Sequence, residues 1–301
     1  MNFPKPIDAV YTWVNGNCPT YQQLCRQYSE NQKDLNPERY RDQYSLLMYS
    51  LRSLEKYVPW INNIYLFTCR PQVPEWLNLN HPQIKIVHHD QVIDSEYLPT
   101  FNCNVIETYL HKIPFSADYL LYLNDDFLFG NQTTKSDFIT PDGRIKVLGT
   151  LFGEKLGFRV YENKGELISL GLIEHTPLLI YKPYWEAMLK TRLDEVKATR
   201  KNKFRTDRDL QMDKLYRYFL RSHQAKNTEV VPIYQLLRYH RFHKIINNFS
   251  SQKSKLEKLK KMQPKFYCLN DDQRDNPNPQ VVELVQNFLD SYYPCPSQFE
   301  K

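Results

Sequence analysis

Short apolar runs alternate with helical patterns along the first 130 residues of this chain, and this alternation limits the fold more than any other feature. Four short apolar runs predict strands: IDAVYTWV (7–14), which is β-branched and aromatic and ends at Asn15-Gly16, NNIYLFT (62–68) and IKIVHH (84–89), which turn formers bound, and YLLYL (119–123). Between the first two, apolar residues recur at helical spacing from about Tyr44 to Tyr57. Buried strands that alternate with helices are typical of a largely parallel sheet. The sequence therefore predicts an α/β fold with helices on the faces of the sheet.

The whole chain is expected to form one domain, 1–301, whose core comprises residues 1–130 and 171–294. Four later segments carry their own patterns: short strands and loops of an insertion over the sheet at about 131–170, helices at 183–222, an exposed helix or a mobile linker in the basic stretch at about 247–265, and a closing helix at 281–294.

The composition narrows the class of protein. A chain of 301 residues can bury a core without disulfides, and its six cysteines include no CxxC pair. Free thiols in a reducing compartment are therefore expected, with neither a zinc site nor a redox motif. No window approaches the roughly 18 apolar residues of a membrane span, which predicts a cytoplasmic protein. The absence of GxGxxG and of GxxxxGK[ST] disfavours a dinucleotide fingerprint and a P-loop.

The net charge of +6 is unevenly distributed, with basic stretches at 197–226 and 253–265. Such patches suit anionic partners, which include the phosphates of a nucleotide sugar, an acidic membrane face and nucleic acid. A solvated helical face explains the same charges equally well.

The sequence LLYLNDDFLFG (120–130) places Asn124, Asp125 and Asp126 at the end of an apolar strand. Ligands of open α/β sheets collect at the carboxyl ends of strands. Amide and carboxylate oxygens there are suitable ligands for Mg²⁺ or Mn²⁺, which would bridge the oxygens of a diphosphate. The alternative is a solvated Asp-Asp turn.

A second acid pair, Asp271 and Asp272, follows the short apolar run of KFYCLNDD. It either completes the same metal or acceptor site or belongs to the N-cap region of a later helix. His175, in LGLIEHTPLLIYKP, is a candidate general base, nucleophile or hydrogen-bond donor to a phosphoryl oxygen. A buried histidine that bonds the backbone is the alternative.

Arg205 lies in KFRTDRD, just before a predicted helix, with Lys201, Lys203 and Arg208 nearby. A guanidinium at a helix start can hold a phosphate through two parallel hydrogen bonds. A basic cluster on the surface, without a ligand, is the alternative.

Taken together, these motifs resemble the Stealth family of polysaccharide phosphotransferases, which includes the catalytic part of the animal enzyme that places GlcNAc 1-phosphate on lysosomal glycoproteins. IDAVYTWVNG (7–16) resembles the first conserved region, and segments between 49 and 130, ending in YLNDDFLFG, resemble the second. EHTPLLIYKPYW and KFRTDRDLQMDKLYRYFL resemble the third, and KFYCLNDD the fourth. The stretches occur in family order and cover somewhat over half of the chain.

The resemblance implies a GT-A-like core and a UDP-sugar donor, in particular a UDP-N-acetylhexosamine. It also implies a divalent cation (Mg²⁺ or Mn²⁺), an oligosaccharide or polysaccharide acceptor and release of a nucleoside monophosphate. No nucleic-acid partner is expected. A bacterial cytoplasmic location is expected, with peripheral association with the capsule machinery at the inner face of the membrane.

The resemblance also assigns roles by position. The catalytic residues it implies are Glu107, Asp126, His175 and Arg205. The substrate-binding residues it implies are Asn15, Gly16, Arg52, Asn102, Cys103, Asn124, Lys203 and Asp209. The metal ligands it implies are Asp125, Asp126, Asp271 and Asp272.

One departure from the family pattern precedes YSLRS. Relatives carry an acidic residue, Leu and a basic residue there, whereas this chain has Ser45-Leu46-Leu47-Met48, with Arg41 and Asp42 upstream. The donor or helix-packing contacts at this position are therefore left open.

The expected reaction moves a hexose or N-acetylhexosamine 1-phosphate from a UDP-sugar to a sugar hydroxyl and releases UMP, so that phosphodiester links form in a capsular or cell-surface polysaccharide. Asp126 and His175, followed by Glu107, are the candidate bases. Direct attack and a phosphohistidine intermediate at His175 are both open. Two other functions stay in view: a metal-dependent glycosyltransferase that releases UDP, and a non-catalytic carbohydrate-binding component of a capsule assembly complex.

Overall fold

The computed structural model describes residues 5–35, 40–150, 158–161, 166–169 and 175–301. The strands are β1 (Ile7–Thr12), β2 (Ile64–Thr68), β3 (Ile84–His88), β4 (Tyr119–Asn124), β5 (Phe127–Phe129), β6 (Ile145–Thr150), β7 (Phe158–Tyr161), β8 (Glu166–Ser169), β9 (Leu178–Tyr181), β10 (Thr228–Pro232), β11 (His240–Ile245) and β12 (Phe266–Asp271). The helices are α1 (Pro19–Tyr28), α2 (Leu46–Tyr57), α3 (Cys103–Glu107), α4 (Lys182–Thr191), α5 (Leu193–Arg200), α6 (Met212–His223), α7 (Ile233–Leu236), α8 (Phe249–Met262) and α9 (Pro279–Tyr292).

The central sheet has the strand order β3-β2-β1-β4-β9. Its first four strands are parallel, and β9 pairs with β4 in the antiparallel direction. In β1, Ala9, Val10 and Tyr11 have no exposed surface, because the strand is covered on both faces. The predicted α/β fold, with a largely parallel sheet flanked by helices, is therefore confirmed.

A second sheet, β11-β12-β5, continues from the first. The turn of Asp125 and Asp126 separates β4 from β5, which pairs antiparallel with β12. Helix α2 supports β5 through Ser53, whose Oγ accepts a hydrogen bond from the Phe129 amide at 3.0 Å. The turn is thereby held between two sheets, so its acidic side chains have fixed positions.

Another carboxylate, that of Asp8, is buried at the amino ends of the strands of the central sheet, opposite the end that carries the turn of Asp125 and Asp126. Asp8, at the start of β1, is completely buried. Its oxygens accept hydrogen bonds from the Asn62 side chain at 2.9 Å, the Ser116 amide at 3.1 Å and the Ala117 amide at 3.0 Å. These bonds fasten the segments that lead into β2 and β4 to β1, and they replace the hydration that the charge loses.

Several boundaries differ from those predicted. Within the expected insertion at 131–170, β6 pairs with β10 in a separate two-stranded sheet, and its Val147 is buried in the core. Residues 151–157, 162–165 and 170, from the same segment, lie outside the described residues. The C-terminal end also packs on the core, through the buried Phe299. In both places, apolar side chains are buried because they pack against residues that are distant in the sequence.

The basic stretch at 247–265 forms α8, whose Leu256 and Leu259 are buried, so the linker alternative is wrong and the helix alternative is correct. Within the described part of the chain, no helix combines the length and the apolar composition that a membrane crossing requires.

Candidate active site

A cleft of about 360 Å³ opens at the carboxyl ends of β1 and β4. The strand order reverses between these two strands, and such switch points are where open α/β sheets bind ligands. Its walls include the four predicted catalytic residues: Glu107, Asp126, His175 and Arg205. The structure therefore brings together side chains from four separate segments of the chain.

Asp126 lies at the base of the cleft with one carboxylate oxygen engaged. Its Oδ2 accepts a hydrogen bond from the Cys268 thiol at 3.0 Å, and its backbone oxygen accepts one from the Leu269 amide at 3.0 Å. Its Oδ1 is buried and has no hydrogen-bond partner. Since buried polar atoms are almost always paired, this oxygen is available to a ligand or a cation.

His175 faces Asp126, with its Nδ1 3.7 Å from Asp126 Oδ2. This distance is too long for a hydrogen bond, and Nδ1 is a second buried atom without a partner. The ring stacks on Phe242 at 5.0 Å and meets the edge of Phe127 at 6.0 Å. Its backbone has φ of 56°, in the left-handed region that histidine occupies more readily than bulkier residues. The imidazole is therefore held in place with one nitrogen unused.

The pKa of Asp125, in the turn after β4, is strongly raised. Burial first, and then the charges of Asp126 and Asp42, raise its pKa well above the ordinary value. Asp42 also has its pKa raised by burial, and it accepts a hydrogen bond from Trp13 Nε1 at 3.3 Å. Three acids therefore share a small region, where either a proton or a cation must offset their repulsion.

Glu107, at the end of α3, is buried against Tyr122, whose Oη lies 2.9 Å from Glu107 Oε1. Burial, followed by the nearby Asp213 carboxylate, raises the pKa of Glu107 from 4.5 to about 8, while Tyr122 and Arg205 act in the opposite direction. At neutral pH the group therefore carries its proton, so it can donate a hydrogen bond as well as accept one.

Arg205 reaches the cleft from the loop between α5 and α6, and its side chain is exposed. The loop is fixed to α3 by Asn102, whose Nδ2 donates to Phe204 O at 3.1 Å and to Asp209 Oδ2 at 2.7 Å. The guanidinium is therefore placed by a loop that is fixed to α3, and it lies close to the Cys103 thiol and the Glu107 carboxyl in the cleft.

Sequence comparisons match this chain to three conserved regions of Stealth proteins: region 1 at residues 5–33, region 2 at 39–147 and region 4 at 257–301. The capsular polysaccharide phosphotransferase WcwK of Streptococcus pneumoniae is 31% identical over 341 residues, which cover 98% of this chain and 99% of that protein. This chain belongs to the Stealth family.

Other Stealth relatives differ in length. The capsular polysaccharide phosphotransferase fcs1 of Haemophilus influenzae is 29% identical, over 97% of this chain and 85% of that protein. An exopolysaccharide phosphotransferase of Streptomyces coelicolor is 30% identical, over 98% of this chain but only 52% of that protein, so the chain spans about half the length of this relative. The chain is accordingly an enzyme of the transferase class.

Solved structures with a similar fold include two glycosyltransferases. The galactosyltransferase LgtC has a TM-score of 0.47 at 11% identity, with 94% of this chain and 95% of that chain covered. The glycosyltransferase GlyE of Streptococcus pneumoniae TIGR4 also has a TM-score of 0.47, over 96% of this chain and 62% of that chain. The similarity is weak, and the assignment to the Stealth family depends on the sequence relatives alone.

Two of the predicted substrate-binding residues, Asn102 and Asp209, do not line the cleft of this Stealth protein. Both are buried, and Asp209 accepts further bonds from the Asn202 side chain at 2.6 Å and the Thr206 amide at 2.9 Å. Asn102 also caps α3, with its Oδ1 3.0 Å from the Asn104 amide. Their polar atoms are occupied by one another, by neighbouring side chains and by backbone, so they position the loop of Arg205.

Lys203 and Arg52 also do not line the cleft. The Lys203 ammonium donates to Leu98 O at 2.9 Å. Arg52 forms an ion pair with Glu300 at 2.6 Å, because α2 presents it to the C-terminal segment. The prediction that they contact the substrate is not supported by these positions.

The turn after β1 holds the predicted Asn15 and Gly16 beside the cleft, although neither lines it. The Gly16 amide donates to Tyr40 O at 2.6 Å, and a Cβ at this position would lie 2.2 Å from the same oxygen. Only glycine fits this approach. Asn124 and Cys103 do line the cleft, and burial raises the pKa of the Cys103 thiol to about 12.

The second acid pair lines the cleft, but its charges are already paired. Both oxygens of Asp271 bind the Arg41 guanidinium, at 2.6 and 2.8 Å, and Asp272 lies 3.2 Å from Arg274. In this arrangement Asp271 is not free to be a metal ligand. Arg41 belongs to the segment where the sequence departs from the family pattern. That departure was the sequence signal that this segment has a special role.

Cys268 is the residue of the site that the sequence analysis missed. It precedes Asn270 by two positions in β12, so the two side chains share one face of the strand, and that alternation was the available signal. The remaining oxygen ligands, from Asn124, Asp125 and Asp126, suit Mg²⁺ or Mn²⁺. The partnerless Asp126 Oδ1 and the raised pKa of Asp125 show that a cation fits the turn.

Proposed function

We propose that this Stealth enzyme transfers a sugar 1-phosphate from a UDP-sugar, in particular a UDP-N-acetylhexosamine, to a hydroxyl of an oligosaccharide or polysaccharide, and releases UMP. The observation that carries the proposal is the pair of partnerless atoms, Asp126 Oδ1 and His175 Nδ1, in a cleft that also contains Arg205. The polysaccharide phosphotransferase names of the relatives support the acceptor class.

A second pocket supports a nucleotide donor. It has a volume of about 180 Å³ and shares the lining residues Tyr21, His89 and Phe101 with the cleft, so the two are adjacent. Whole ligands occupy pockets of roughly 300 Å³ or more, so this pocket suits one end of a longer molecule. In the proposed donor orientation, the nucleoside contacts Tyr21 and Phe101, and the diphosphate extends to Asp126.

Asn124, Asp125 and Asp126 would hold a divalent cation, Mg²⁺ or Mn²⁺. When bound, such an ion neutralises charge on the diphosphate. Arg205 binds the oxygens of the transferred phosphoryl group, since a guanidinium can contact two of them at once. These groups lower the barrier by stabilising negative charge at phosphorus.

The bonds change at the β-phosphorus of the donor. In direct transfer, the acceptor oxygen forms a bond to phosphorus, the bond to the UMP oxygen breaks, and Asp126 or His175 accepts the hydroxyl proton. In the two-step route, an imidazole nitrogen of His175 displaces UMP, and the acceptor hydroxyl then displaces the imidazole. Asp126 next to the ring stabilises the positive charge that the imidazole carries when it accepts the proton or bears the phosphoryl group. In the second step of the two-step route, Asp126 accepts the proton of the acceptor hydroxyl.

Glu107 acts in its protonated form. Because its pKa is about 8, the carboxyl donates a hydrogen bond to a phosphoryl or sugar oxygen at neutral pH and adds no further negative charge to the cleft.

Placement of the enzyme in the cytoplasm at the inner face of the membrane is part of the same proposal, and the exposed lysines of α8 are suited to an acidic lipid surface.

The decisive experiment identifies the nucleotide released. Purified protein is incubated with a panel of UDP-sugars, Mg²⁺ and capsule oligosaccharides, and the products are separated by ion-exchange chromatography. UMP together with a sugar phosphodiester is the expected result. UDP would instead identify a glycosyltransferase, and donor binding without turnover would identify a carbohydrate-binding protein.

The route is tested by single-turnover labelling with donor that carries a radioactive β-phosphate. An acid-labile phosphoprotein that is absent from His175→Ala supports the two-step route. Complete transfer with no labelled protein at any time supports direct attack.

A further inference from the structure

Three different metal-binding side chains meet at the base of the cleft: Asp126 and His175 line it, and the buried Cys268 lies directly behind Asp126. Asp126 Oδ2 lies 3.0 Å from Cys268 Sγ and 3.7 Å from His175 Nδ1. All three ligand atoms lie within 4.8 Å of one another. The three residues are far apart in the sequence. A zinc site made by them therefore has no CxxC-type motif from which it could be predicted.

The separations match those of a tetrahedral metal site. Zinc binds sulfur at about 2.3 Å and nitrogen or oxygen at about 2.0–2.2 Å, and these bond lengths place neighbouring ligand atoms roughly 3.3–3.6 Å apart. The two distances from Asp126 Oδ2, 3.0 and 3.7 Å, lie on either side of that range. The ligand atoms of Cys268 and His175 lie within 4.8 Å of each other, so side-chain rotations that bring the imidazole and the thiol together complete the site. His175 Nδ1 has no other partner to give up.

The backbone arranges the ligands in advance. Cys268 of β12 lies opposite Phe242 of β11 and Phe127 of β5. The His175 ring contacts these same two phenylalanines, which places the imidazole over the thiol. The Leu269 amide holds the Asp126 backbone. Little ordering is therefore needed when a metal binds.

We propose that Asp126, His175 and Cys268 form a binding site for Zn²⁺ or a similar borderline-soft ion, and that its occupation inhibits the transferase. Three protein ligands leave the fourth tetrahedral position to water or a substrate oxygen. On binding, the thiol loses its proton to solvent, and Asp126 and His175 are no longer available to the acceptor. Thiolate and imidazole favour zinc, cobalt and copper over magnesium.

This site shares Asp126 with the proposed Mg²⁺ site but takes its Oδ2, next to the thiol and the imidazole, whereas the Mg²⁺ site takes the partnerless Oδ1 together with oxygens of Asn124 and Asp125. Only the inhibition depends on the proposed function, because it requires Asp126 and His175 to act in catalysis. Metal binding itself is independent of the reaction, and it can be measured when no substrate is known.

The test uses Co²⁺ as a spectroscopic substitute for Zn²⁺ in the full-length, untagged and reduced protein. We expect near-ultraviolet thiolate-to-cobalt charge transfer together with the intense visible bands of a tetrahedral ion, and we expect stoichiometric Zn²⁺ to abolish both. Excess Mg²⁺ should leave the bands unchanged. The absence of a charge-transfer band at one equivalent of Co²⁺ would overturn the proposal.

Matched cysteine variants locate the site. Cys268→Ser should lose the charge-transfer band, and its Zn²⁺ affinity in calorimetry should fall by more than the about 10–100-fold that loss of a supporting group causes. Cys103→Ser, which removes the other thiol of the cleft, and Cys295→Ser should retain the band. Should Cys268→Ser not fold, His175→Asn is measured instead, with the same loss of affinity expected.

Two results would reject the site: a charge-transfer band in Cys268→Ser equal to that of the wild type, or its loss in Cys103→Ser. Once a substrate is known, Zn²⁺ should inhibit in the presence of millimolar Mg²⁺. A protein that binds Zn²⁺ at this site but is not inhibited would retain the metal site and disprove the roles of Asp126 and His175.

Discussion

The carboxylates at the two ends of the central strands differ in how completely they are hydrogen-bonded. Asp8, at the amino end of β1, is completely buried and accepts hydrogen bonds from side chains and amides on two other segments. Asp126, beyond the carboxyl end of β4, has an oxygen with no partner. A carboxylate whose oxygens are all bonded stabilises the fold, whereas one left unsatisfied can bind a substrate or an ion.

The largest effect is expected from Asp126→Asn. Loss of the charge removes a candidate base and metal ligand, so kcat/KM should fall by about 10²–10⁴-fold. Thermal stability should be unchanged or higher, because Asp126 repels Asp125 in the native protein. Steady-state kinetics and thermal unfolding measure the two quantities, and a variant that unfolds at a lower temperature would break the comparison with Asp8.

Asp8→Asn is the reciprocal change. An amide keeps the shape but replaces two acceptor oxygens with one, so amides that bond Asp8 lose their partner. We expect the free energy of unfolding to fall by about 3 kcal/mol, since hydrogen bonds to a charged group contribute about 1.5–3 kcal/mol each. Denaturant unfolding measures this loss. The folded fraction should keep its KM for the donor, and a loss of kcat without a loss of stability would contradict the structural role.

Asn102→Ala sharpens the comparison, because Asn102 lies close to the cleft yet is buried and fully bonded like Asp8. Removal of its amide frees the loop that carries Arg205, and kcat/KM should fall by about tenfold, consistent with the about 1–3 kcal/mol cost of unpaired buried groups. Asn102→Asp is the informative partner variant, since it keeps the α3 cap but loses the bond to Asp209. Unchanged donor affinity in both variants would show that the loop does not depend on this network.

The smallest change concerns Glu107, an acid of the cleft that accepts a hydrogen bond from Tyr122. Because its pKa is raised to about 8, activity should be constant near neutrality and fall about tenfold per pH unit above 8. Glu107→Gln mimics the protonated group, so its alkaline limb should be absent. An identical pH profile in the two proteins would assign the limb to another residue.

The same pKa also affects stability, with a defined sign. The folded protein keeps a proton on Glu107 that the unfolded chain loses above its pKa of 4.5. The stabilising contribution of this group is therefore complete below pH 4.5 and declines as the pH rises towards 8. Unfolding of Glu107→Gln should lack this decline.

Much of the fold could be predicted from local patterns. The strand runs at 62–68 and 84–89 correspond to β2 and β3, and the helical spacing from Tyr44 to Tyr57 corresponds to α2. In these elements apolar residues recur with the regular period of a strand or a helix, so each residue type indicates whether its position is buried or exposed. Strands β10 and β11 were not recognised, because their short, partly exposed segments alternate too little to be distinguished from loops.

The sequence by itself determined the family, the α/β fold and the position of Asn124, Asp125 and Asp126 at the end of a strand, since each depends on residues close together in the chain. Only the tertiary structure decided which side chains meet. It paired Asp271 with Arg41, buried Asn102 against Asp209 and placed Cys268 beside Asp126. Contacts between distant segments depend on how the sheets and helices pack, and a local period contains no information about that packing.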